Sequence, residues 1–264
     1  MIHLCLIGIG TGNPDHVTRE GERRLNEADL ILLPRKGDAK SDLVDLRRTL
    51  CDQLLTRDSP TKVVEFDLPQ REEKEKSAEK GSEKATYLEV VEDWHDTIAA
   101  RWGELIDQHL PQGGRVALMI WGDPSLYDSS LRIADRLERA GRKMKLEVVP
   151  GITSLQALTA AHRIPLNRLA EPVVITTGRR LRDHGWPQGA DTLVVMLDSG
   201  GAFEVLNAEH YHIWWGAYLG MPHQHLIEGP LKEVGSDILR ERARLREQHG
   251  WIMDTYLLRR QPRL

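Results

Sequence analysis

The sequence predicts an α/β protein built of two domains, with a boundary near residue 152. Up to that residue, short apolar runs without turn residues alternate with segments of helical spacing, which is typical of a parallel sheet. Glycines follow the first, fourth and fifth of these runs, at the strand ends where open α/β sheets bind ligands. After Pro165 and Pro172 short strands dominate, which favours a second, α+β domain at 153–264.

Apolar patterning predicts the elements of the first domain, residues 1–152. Strands are expected at 4–9, 30–33, 62–66, 115–120 and 145–149, of which 4–9 and 115–120 are expected to be buried. Helices are expected from Thr18, over 42–55, along a long segment marked by Trp94 and Ile98, over 126–140 with Gly141 as C-cap, and after Ser154. The Glu/Lys-rich segment 70–84 has hardly an apolar residue and is interpreted as a solvated helix face or a mobile insertion.

The stretch 121–127, Trp-Gly-Asp-Pro-Ser-Leu-Tyr, lies where a buried strand stops and a helix must start. Gly122 lets the backbone approach a ligand closely, while Asp123 and Pro124 are typical of the N-cap and first residue of a helix. Strand carbonyls and helix amides would then converge on one point. A plain tight turn between strand and helix is the alternative interpretation.

The first strand runs into Gly8, Gly10 and Gly12, as at the start of a dinucleotide-binding fold. The spacing is GxGxG and not GxGxxG, and the next strand ends in Pro34-Arg35 where an NAD enzyme needs a carboxylate for the ribose. These features disfavour NAD binding. NADP, recognised by Arg35, stays open as an alternative.

Composition narrows the range of partners. The chain has 264 residues, 40% hydrophobic and 29% charged, which are ordinary values for a globular protein. A net charge of -4 predicts no nucleic-acid partner. Strand-length apolar runs and the absence of a signal-peptide start predict a cytoplasmic protein without membrane association. Cys5 is expected to be a buried strand residue, so no disulfide framework is predicted.

The second domain, residues 153–264, is predicted to contain strands at 173–177, 192–197, 211–219 and 251–258, with helices at 199–208 and 236–248. A loop between its first two strands holds Arg179, Arg180 and Arg182, which are either solvated surface or a grip for anionic groups. The pairs His210/His212 and His223/His225 would share a strand face, as in metal sites. No carboxylate or cysteine lies at the usual ligand spacing, so no metal site is predicted.

Three segments together resemble one family: Leu6-Ile-Gly-Ile-Gly-Thr-Gly-Asn-Pro14, Gly122-Asp-Pro-Ser-Leu-Tyr127, and Val149-Pro-Gly-Ile-Thr-Ser154 with Ile164-Pro-Leu166 after it. They are similar to the tetrapyrrole (corrin/porphyrin) methylases, and the similarity covers nearly the whole chain. The resemblance implies a parallel-sheet α/β domain followed by a mixed-sheet α+β domain, with the active site in a cleft between them. It also implies a homodimer that uses S-adenosyl-L-methionine and releases S-adenosyl-L-homocysteine.

Site residues are carried over from the family by position. The resemblance implies cofactor contacts at Trp121, Gly122, Asp123, Tyr127, Thr153, Ser154, Met196, Leu197, Leu219 and Pro230. The substrate side would contain Gly10, Thr11 and Gly12, where Thr11 replaces the proline usual in the family and leaves the shape of this loop open. Basic groups for the carboxylates of the substrate would be Arg35, Lys36, Arg179, Arg180 and Arg182.

The forms of the first loop and of the stretch 121–127 most resemble the branch of the family that methylates precorrin-5 at C1 and releases the extruded acetyl group as acetate. Water attack on that acetyl carbonyl needs a general base, and Asp15, His16 and Tyr127 are the candidate catalytic residues. Alternatively, Asp15 caps the first helix and His16 is a surface residue. Other precorrin or uroporphyrinogen methyltransferases, an NADP-dependent reductase and a tetrapyrrole carrier without turnover are the alternative functions.

Overall fold

The computed structural model describes residues 1–35, 41–69 and 82–261. These residues form two compact units, one of residues 1–10 and 14–151 and one of residues 11–13 and 152–264. Lys36 and the part of the Glu/Lys-rich segment up to residue 81 lie outside the described residues. The predicted domain boundary after residue 152 stays a prediction.

A parallel five-stranded sheet forms the centre of the first unit, in the order β3-β2-β4-β1-β5. The strands are β1 Ile2–Gly8, β2 Leu30–Arg35, β3 Lys62–Asp67, β4 Gly114–Ile120 and β5 Met144–Val149. Each overlaps a strand predicted from an apolar run, which confirms those predictions.

Helices cover both faces of this sheet. They are α1 Arg19–Asn26, α2 Ser41–Leu54, α3 Ser82–His109 and α4 Ser130–Arg139. Because side chains alternate along a strand, Leu4 and Leu6 of β1 pack in one core with Ile106 of α3. Ile7 of the same strand packs in the other core with Leu25 of α1. Burial on both faces explains why the three inner strands β1, β2 and β4 are largely continuous apolar runs, whereas the edge strands β3 and β5 are more exposed and carry charged residues.

The second unit contains a mixed sheet in the order β6-β7-β10-β8-β9. The strands are β6 Val173–Thr177, β7 Thr192–Met196, β8 Tyr211–Ala217, β9 His225–Pro230 and β10 Asp254–Arg260, and its helices are α5 Ser154–His162, α6 Gly178–His184 and α7 Leu231–His249. Strands β6 and β7 are parallel, and the other neighbours are antiparallel. The α/β fold class with one parallel and one mixed sheet is confirmed.

The helix predicted over 199–208 is wrong. The chain there forms two 3-10 turns, Ala202–Val205 and Ala208–His210. Gly201 adopts a left-handed conformation with φ of 70°, which an α-helix does not accommodate. The Asp198 carboxylate also accepts hydrogen bonds from the amides of Gly200 and Ala202 at 3.1 and 2.6 Å, so these amides are directed away from a helical ladder.

Two elements of the second unit did not follow from apolar patterning. The segment with Arg179 and Arg180 is helix α6 and not a loop, although only Gly178 and Leu181 of it are buried. Strand β9 was not predicted, and it ends in Gly229-Pro230, a pair that is typical of a turn. Proline is tolerated there because β9 is an edge strand. Helix α7 follows at once and begins before the predicted residue 236.

Both cysteines are buried and free, as expected for Cys5. Burial raises the pKa of the Cys5 thiol to about 12 and that of the Cys51 thiol to about 11, so neither is a reactive thiolate at neutral pH. Among the helices in the described part of the chain, none combines the length and apolar character that a membrane span requires.

Candidate functional site

Three glycines bring the ends of neighbouring strands into backbone contact. Gly8 ends β1, Gly122 follows β4 and Gly151 follows β5. A β-carbon on Gly8 would lie 2.6 Å from the Gly151 nitrogen and 2.8 Å from the Gly122 carbonyl oxygen. A β-carbon on Gly151 would lie 2.1 Å from that same oxygen. We call this contact of Gly8, Gly122 and Gly151 the glycine junction; no side chain fits inside it.

The first loop is tied to the stretch 121–127 by backbone hydrogen bonds. The Gly122 amide donates to the Gly10 carbonyl at 2.7 Å, and the Gly10 amide donates to the Gly122 carbonyl at 3.4 Å. Both glycines have left-handed φ, 73° at Gly10 and 63° at Gly122. The predicted role of Gly122 as a point of close backbone approach is thus realised within the protein, and its contact with a cofactor stays a prediction.

Asp123 ties the junction together through its carboxylate. Its Oδ2 accepts from the Gly151 amide at 2.9 Å, and its Oδ1 accepts from the Ser125 amide at 2.8 Å and from the Ser125 hydroxyl. Burial raises the pKa of Asp123, but the hydrogen bonds from Ser125 and Gly151 outweigh it and lower the pKa below its usual value. The carboxylate is therefore ionised at neutral pH.

The prediction that Asp123 caps a helix beginning at Pro124 is wrong. Asp123 and Pro124 begin a turn closed by the Leu126 amide on the Asp123 carbonyl at 3.2 Å, and α4 begins at Ser130. Tyr127 has φ of 50°, a left-handed value that interrupts a helix. This strained backbone places a large ring 44% exposed at the surface. The stretch 121–127 is thus a turn between strand and helix, and its predicted contacts with a ligand stay a prediction.

Arg47 was not predicted and lies against this stretch. Its guanidinium carbon is 5.0 Å from the ring centroid of Trp121, and its Nε donates to the Met119 carbonyl at 3.3 Å. The Nε1 atom of Trp121 is itself buried without a hydrogen-bond partner among the described residues. The sequence does not distinguish Arg47 as a site residue, because it is one of two adjacent arginines on a helix.

In the second unit, Thr153 and Ser154 begin helix α5. The Thr153 hydroxyl accepts from the Leu155 amide at 3.2 Å, and Gln156 Oε1 accepts from the Thr153 amide at 3.0 Å, which makes a capping box. Ser154 Oγ accepts from the Thr255 hydroxyl of β10 at 3.0 Å. Both residues thus have structural roles, and their predicted cofactor contacts stay a prediction.

Strand β7 ends at Met196, and the next residue combines strain with exposure. Leu197 has φ of 51° and is 66% exposed. It is followed by Asp198, whose buried carboxylate accepts from the amides of Gly200 and Ala202, from Tyr256 Oη at 2.8 Å and from Arg182 at 3.1 Å. An unusual conformation held in place next to a buried charge is typical of a functional position. Asp198 was not among the predicted site residues. Its position directly after a buried strand is the sequence feature that could have indicated it.

The segment 218–220 and Pro230 are the remaining predicted cofactor positions. Tyr218 is fully buried with φ of 49°, and its hydroxyl donates to the Trp251 carbonyl at 2.6 Å. Leu219 is 4% exposed, and Pro230 ends β9 directly before α7. Their contact with a cofactor is untested.

The predicted catalytic and substrate residues of the first loop lie close together along the chain. Asp15 is exposed and His16 half-buried in a 3-10 turn, Pro14–His16. Neither caps α1, because Thr18 accepts from the Gly21 amide at 3.0 Å, so the alternative role for Asp15 is wrong. Thr11 is 8% exposed, and Gly12 has φ of 107°.

The arginine candidates differ in their surroundings. Arg35 is paired with Asp67 at 2.9 Å, so it is poorly placed to recognise a ribose phosphate. Arg182 is paired with the buried Asp198. Arg179 and Arg180 are exposed on α6.

The histidine pairs make protein contacts. His212 contacts Glu228 at 3.1 Å and His225 contacts Glu241 at 3.3 Å. His223 stacks on His249 with ring centroids 4.5 Å apart. Within the described ranges no group of three or more histidine, cysteine or acidic side chains is placed to hold a metal ion.

Replacing Gly151 by alanine should destabilise the first unit severely. Its β-carbon would meet a backbone oxygen at 2.1 Å, and backbone cannot rotate away as a side chain can. We expect Gly151→Ala to cost at least about 3 kcal/mol in urea unfolding. Gly141→Ala is the control, because Gly141 has φ of 90° and nothing within 4 Å of its would-be β-carbon, so only backbone strain of about 1–2 kcal/mol applies. Equal losses in the two variants would refute the close contact.

Asp198→Asn should destabilise the second unit at neutral pH, by about 3 kcal/mol, since it removes a buried charge that has hydrogen bonds and an arginine partner. Burial raises the pKa of Asp198, but the hydrogen bonds and the charge of Arg182 outweigh burial. The net effect is a pKa below the ordinary value of 3.8. A lowered pKa stabilises the fold above 3.8, and this contribution is lost as the pH falls through the folded value.

Urea unfolding of wild type and Asp198→Asn at pH 7 and at about pH 3 tests this linkage. The difference in free energy of unfolding between wild type and Asp198→Asn should be smaller at the lower pH. Asp237→Asn, which breaks only an exposed pair with Arg240, is the control and should change the free energy of unfolding by less than about 1 kcal/mol at either pH. A gap that widens on acidification would contradict the assignment.

Comparison with known proteins gives matches over nearly the full length of the chain, two of which are above 30% identity. A relative in Sinorhizobium sp., "Precorrin-6A synthase [deacetylating]", is 43% identical over 98% of this chain and 96% of its own length. The solved structure of a cobalamin synthesis related protein, CobF, from Corynebacterium diphtheriae is 36% identical, covers 98% of both chains and has a TM-score of 0.79.

A more distant structure agrees in fold. Uroporphyrin-III C-methyl transferase from Thermus thermophilus, solved with S-adenyl homocysteine, is 20% identical over 97% of this chain and 96% of that one, with a TM-score of 0.59. The family model described as Tetrapyrrole (Corrin/Porphyrin) Methylases matches residues 3–235. This chain therefore belongs to the tetrapyrrole (corrin/porphyrin) methylases, which use S-adenosyl-L-methionine as the methyl donor.

Proposed function

We propose that this chain methylates precorrin-5 at ring carbon C1 and releases the extruded acetyl group as acetate, giving precorrin-6A. The observation that carries the proposal is the 43% identity, over 98% of the chain, to the Sinorhizobium precorrin-6A synthase [deacetylating]. Relatives named for other tetrapyrrole substrates are less similar; the cobalt-precorrin-4 C(11)-methyltransferase of Methanocaldococcus jannaschii is 24% identical. Family membership disfavours an NADP-dependent reductase, and so does the pairing of Arg35 with Asp67.

The cofactor residues are proposed from two groups. In the first unit they are Trp121, Gly122, Asp123 and Tyr127, and in the second unit Thr153, Ser154, Met196, Leu197, Leu219 and Pro230. Exposed apolar side chains on strained backbone at Tyr127 and Leu197 suit the adenosyl group, since strain of this kind persists where function requires it. The glycine junction suits a ligand that must approach the backbone. A cofactor site in a cleft between the domains stays a prediction.

Positioning is the main contribution of this chain to methyl transfer. When bound, S-adenosyl-L-methionine supplies an electrophilic methyl group on a sulfonium. A ring carbon can attack it directly once the two reactants are held in line, so the protein need not provide a nucleophile. The rigid strand ends around Gly8, Gly122 and Gly151 are well suited to hold one reactant in a fixed place.

Loss of the acetyl group requires water at its carbonyl and a base to take the proton from that water. We propose Asp15 or His16 for this role, with Tyr127 as a further candidate catalytic residue. His16 lies on the first loop, where its β-carbon would be 2.6 Å from a β-carbon placed on Gly10. It is thus fixed beside the loop that would line the substrate side, together with Thr11 and Gly12.

Substrate capture, assembly and location complete the proposal. A precorrin carries acetate and propionate groups, and the exposed guanidinium groups of Arg179 and Arg180 are suited to attract them, with Arg35 as a further candidate. We propose that the protein acts as a cytoplasmic homodimer, as the family resemblance implies.

Incubating the purified protein with precorrin-5 and S-adenosyl-L-methionine tests the proposed reaction. We expect a product heavier by one methyl and lighter by the acetyl group, with one acetate released for each methyl transferred. A methylated product without acetate would indicate another methylation of the same family. Binding of NADPH but not of S-adenosyl-L-homocysteine in a calorimeter would refute the methyltransferase assignment.

Variants of the first loop test the second step. If Asp15 or His16 is the base, Asp15→Asn or His16→Ala should lower acetate release by about 100-fold or more, because general base catalysis contributes roughly that factor. Methyl transfer in a single turnover should change much less. Asp135→Asn, at a half-buried surface position of α4, is the control. Wild-type acetate release in both variants would exclude these two residues.

A further inference from the structure

Among the described residues, the half-buried guanidinium of Arg47 forms no ion pair with a carboxylate. Its Nε donates to the Met119 carbonyl at 3.3 Å and its guanidinium lies over the Trp121 ring. Over the described ranges, neither terminal nitrogen has a carboxylate or carbonyl partner. Asp128 is near enough to favour the charged form, but it makes no ion pair with Arg47 there and its Oδ1 accepts from the Ser130 amide at 2.7 Å.

The neighbouring Arg48 differs from Arg47 in its ion pairs. Arg48 is exposed on the same helix, and its guanidinium is paired with Glu65 and with Asp45 at 2.7 Å. For Arg47, burial lowers the pKa to about 10, with Asp128 partly opposing the shift. A half-buried charge with no ion pair among the described residues costs free energy, and stability alone would favour an apolar side chain there.

An acceptor with two oxygens would suit the guanidinium of Arg47. Around Arg47 the donors are its two terminal nitrogens and the orphaned Nε1 of Trp121, while the one acceptor that it contacts directly among the described residues is the Met119 carbonyl. A carboxylate matches the fork of a guanidinium and supplies both oxygens. The position is the carboxyl end of β4, where open α/β sheets bind ligands.

Two ligands of this enzyme carry carboxylates. The methionine part of the cofactor has one, but its ammonium group is attached to the neighbouring carbon and would approach a second cation. The acetate and propionate groups of a tetrapyrrole carry no such ammonium. We propose that Arg47 binds a peripheral carboxylate of the tetrapyrrole substrate and so sets the placement of the macrocycle at the end of β4. The proposal rests on the tetrapyrrole substrate of the family but not on precorrin-5 in particular.

Uroporphyrin III, which carries eight carboxylates, is the probe, and S-adenosyl-L-homocysteine is the second ligand. Binding of each is measured by quenching of tryptophan fluorescence in the full chain. We expect Arg47→Met to weaken uroporphyrin binding by about tenfold or more, which is typical for loss of a charged hydrogen bond. The same variant should bind S-adenosyl-L-homocysteine within about twofold of wild type. It should melt at the wild-type temperature or higher, because it removes a half-buried charge that has no ion pair among the described residues.

Arg48→Met is the matched control, one residue along the same helix. It should lower stability slightly through its lost surface pairs while leaving uroporphyrin binding within about twofold. The proposal is overturned if wild type does not bind uroporphyrin, if Arg47→Met binds it like wild type, if both ligands are weakened equally, or if binding and melting temperature fall together. Methyl transfer to precorrin-5 by the wild type separately decides the proposed function.

Discussion

The glycine junction is the constraint on which the first unit depends. Three parallel strands can bring their carboxyl ends together only if no side chain intervenes, and Gly8, Gly122 and Gly151 leave room for backbone alone. The Asp123 carboxylate then bonds the Gly151 amide, so the loops after β4 and β5 are held by one ionised group. The last residues of these strands are thereby fixed with little freedom, which is what in-line transfer between two bound reactants requires.

Strained backbone occurs at two of the positions proposed for the cofactor and next to a third. Of the five non-glycine residues with positive φ in the described part of the chain, Tyr127 and Leu197 are proposed contacts, and Tyr218 immediately precedes a third. Each costs of order 1 kcal/mol and must be held by its surroundings. Tyr218 is held through its hydroxyl on the Trp251 carbonyl, and Leu197 precedes the Asp198 network. The protein thus tolerates a cost in folding free energy at residues that would position a ligand.

Much of the fold followed from apolar patterning, because strands buried on both faces must be continuous apolar runs. What patterning could not predict depended on individual polar groups. Asp123 resembles a helix cap, but its carboxylate is occupied by Ser125 and Gly151, so the helix begins later. The predicted helix after Ser199 is prevented by Asp198, whose oxygens take the amides that would begin it. The carboxylates of both aspartates accept hydrogen bonds from residues in a local turn, and Asp123 also from a residue distant in sequence. The spacing of apolar residues does not predict such hydrogen bonds.

The candidate site shows the same division. Its glycines could be found from spacing, whereas the roles of its arginines depended on pairing. Arg35 and Arg182 are largely neutralised by Asp67 and Asp198, although all the candidate arginines look alike in sequence. Exposed guanidinium groups such as those of Arg179 and Arg180 are screened beyond about 8 Å at physiological salt, so they attract a polyanion but hardly orient it. Orientation needs a cation held on several sides by protein, and Arg47, fixed between the Met119 carbonyl and the Trp121 ring, meets that condition.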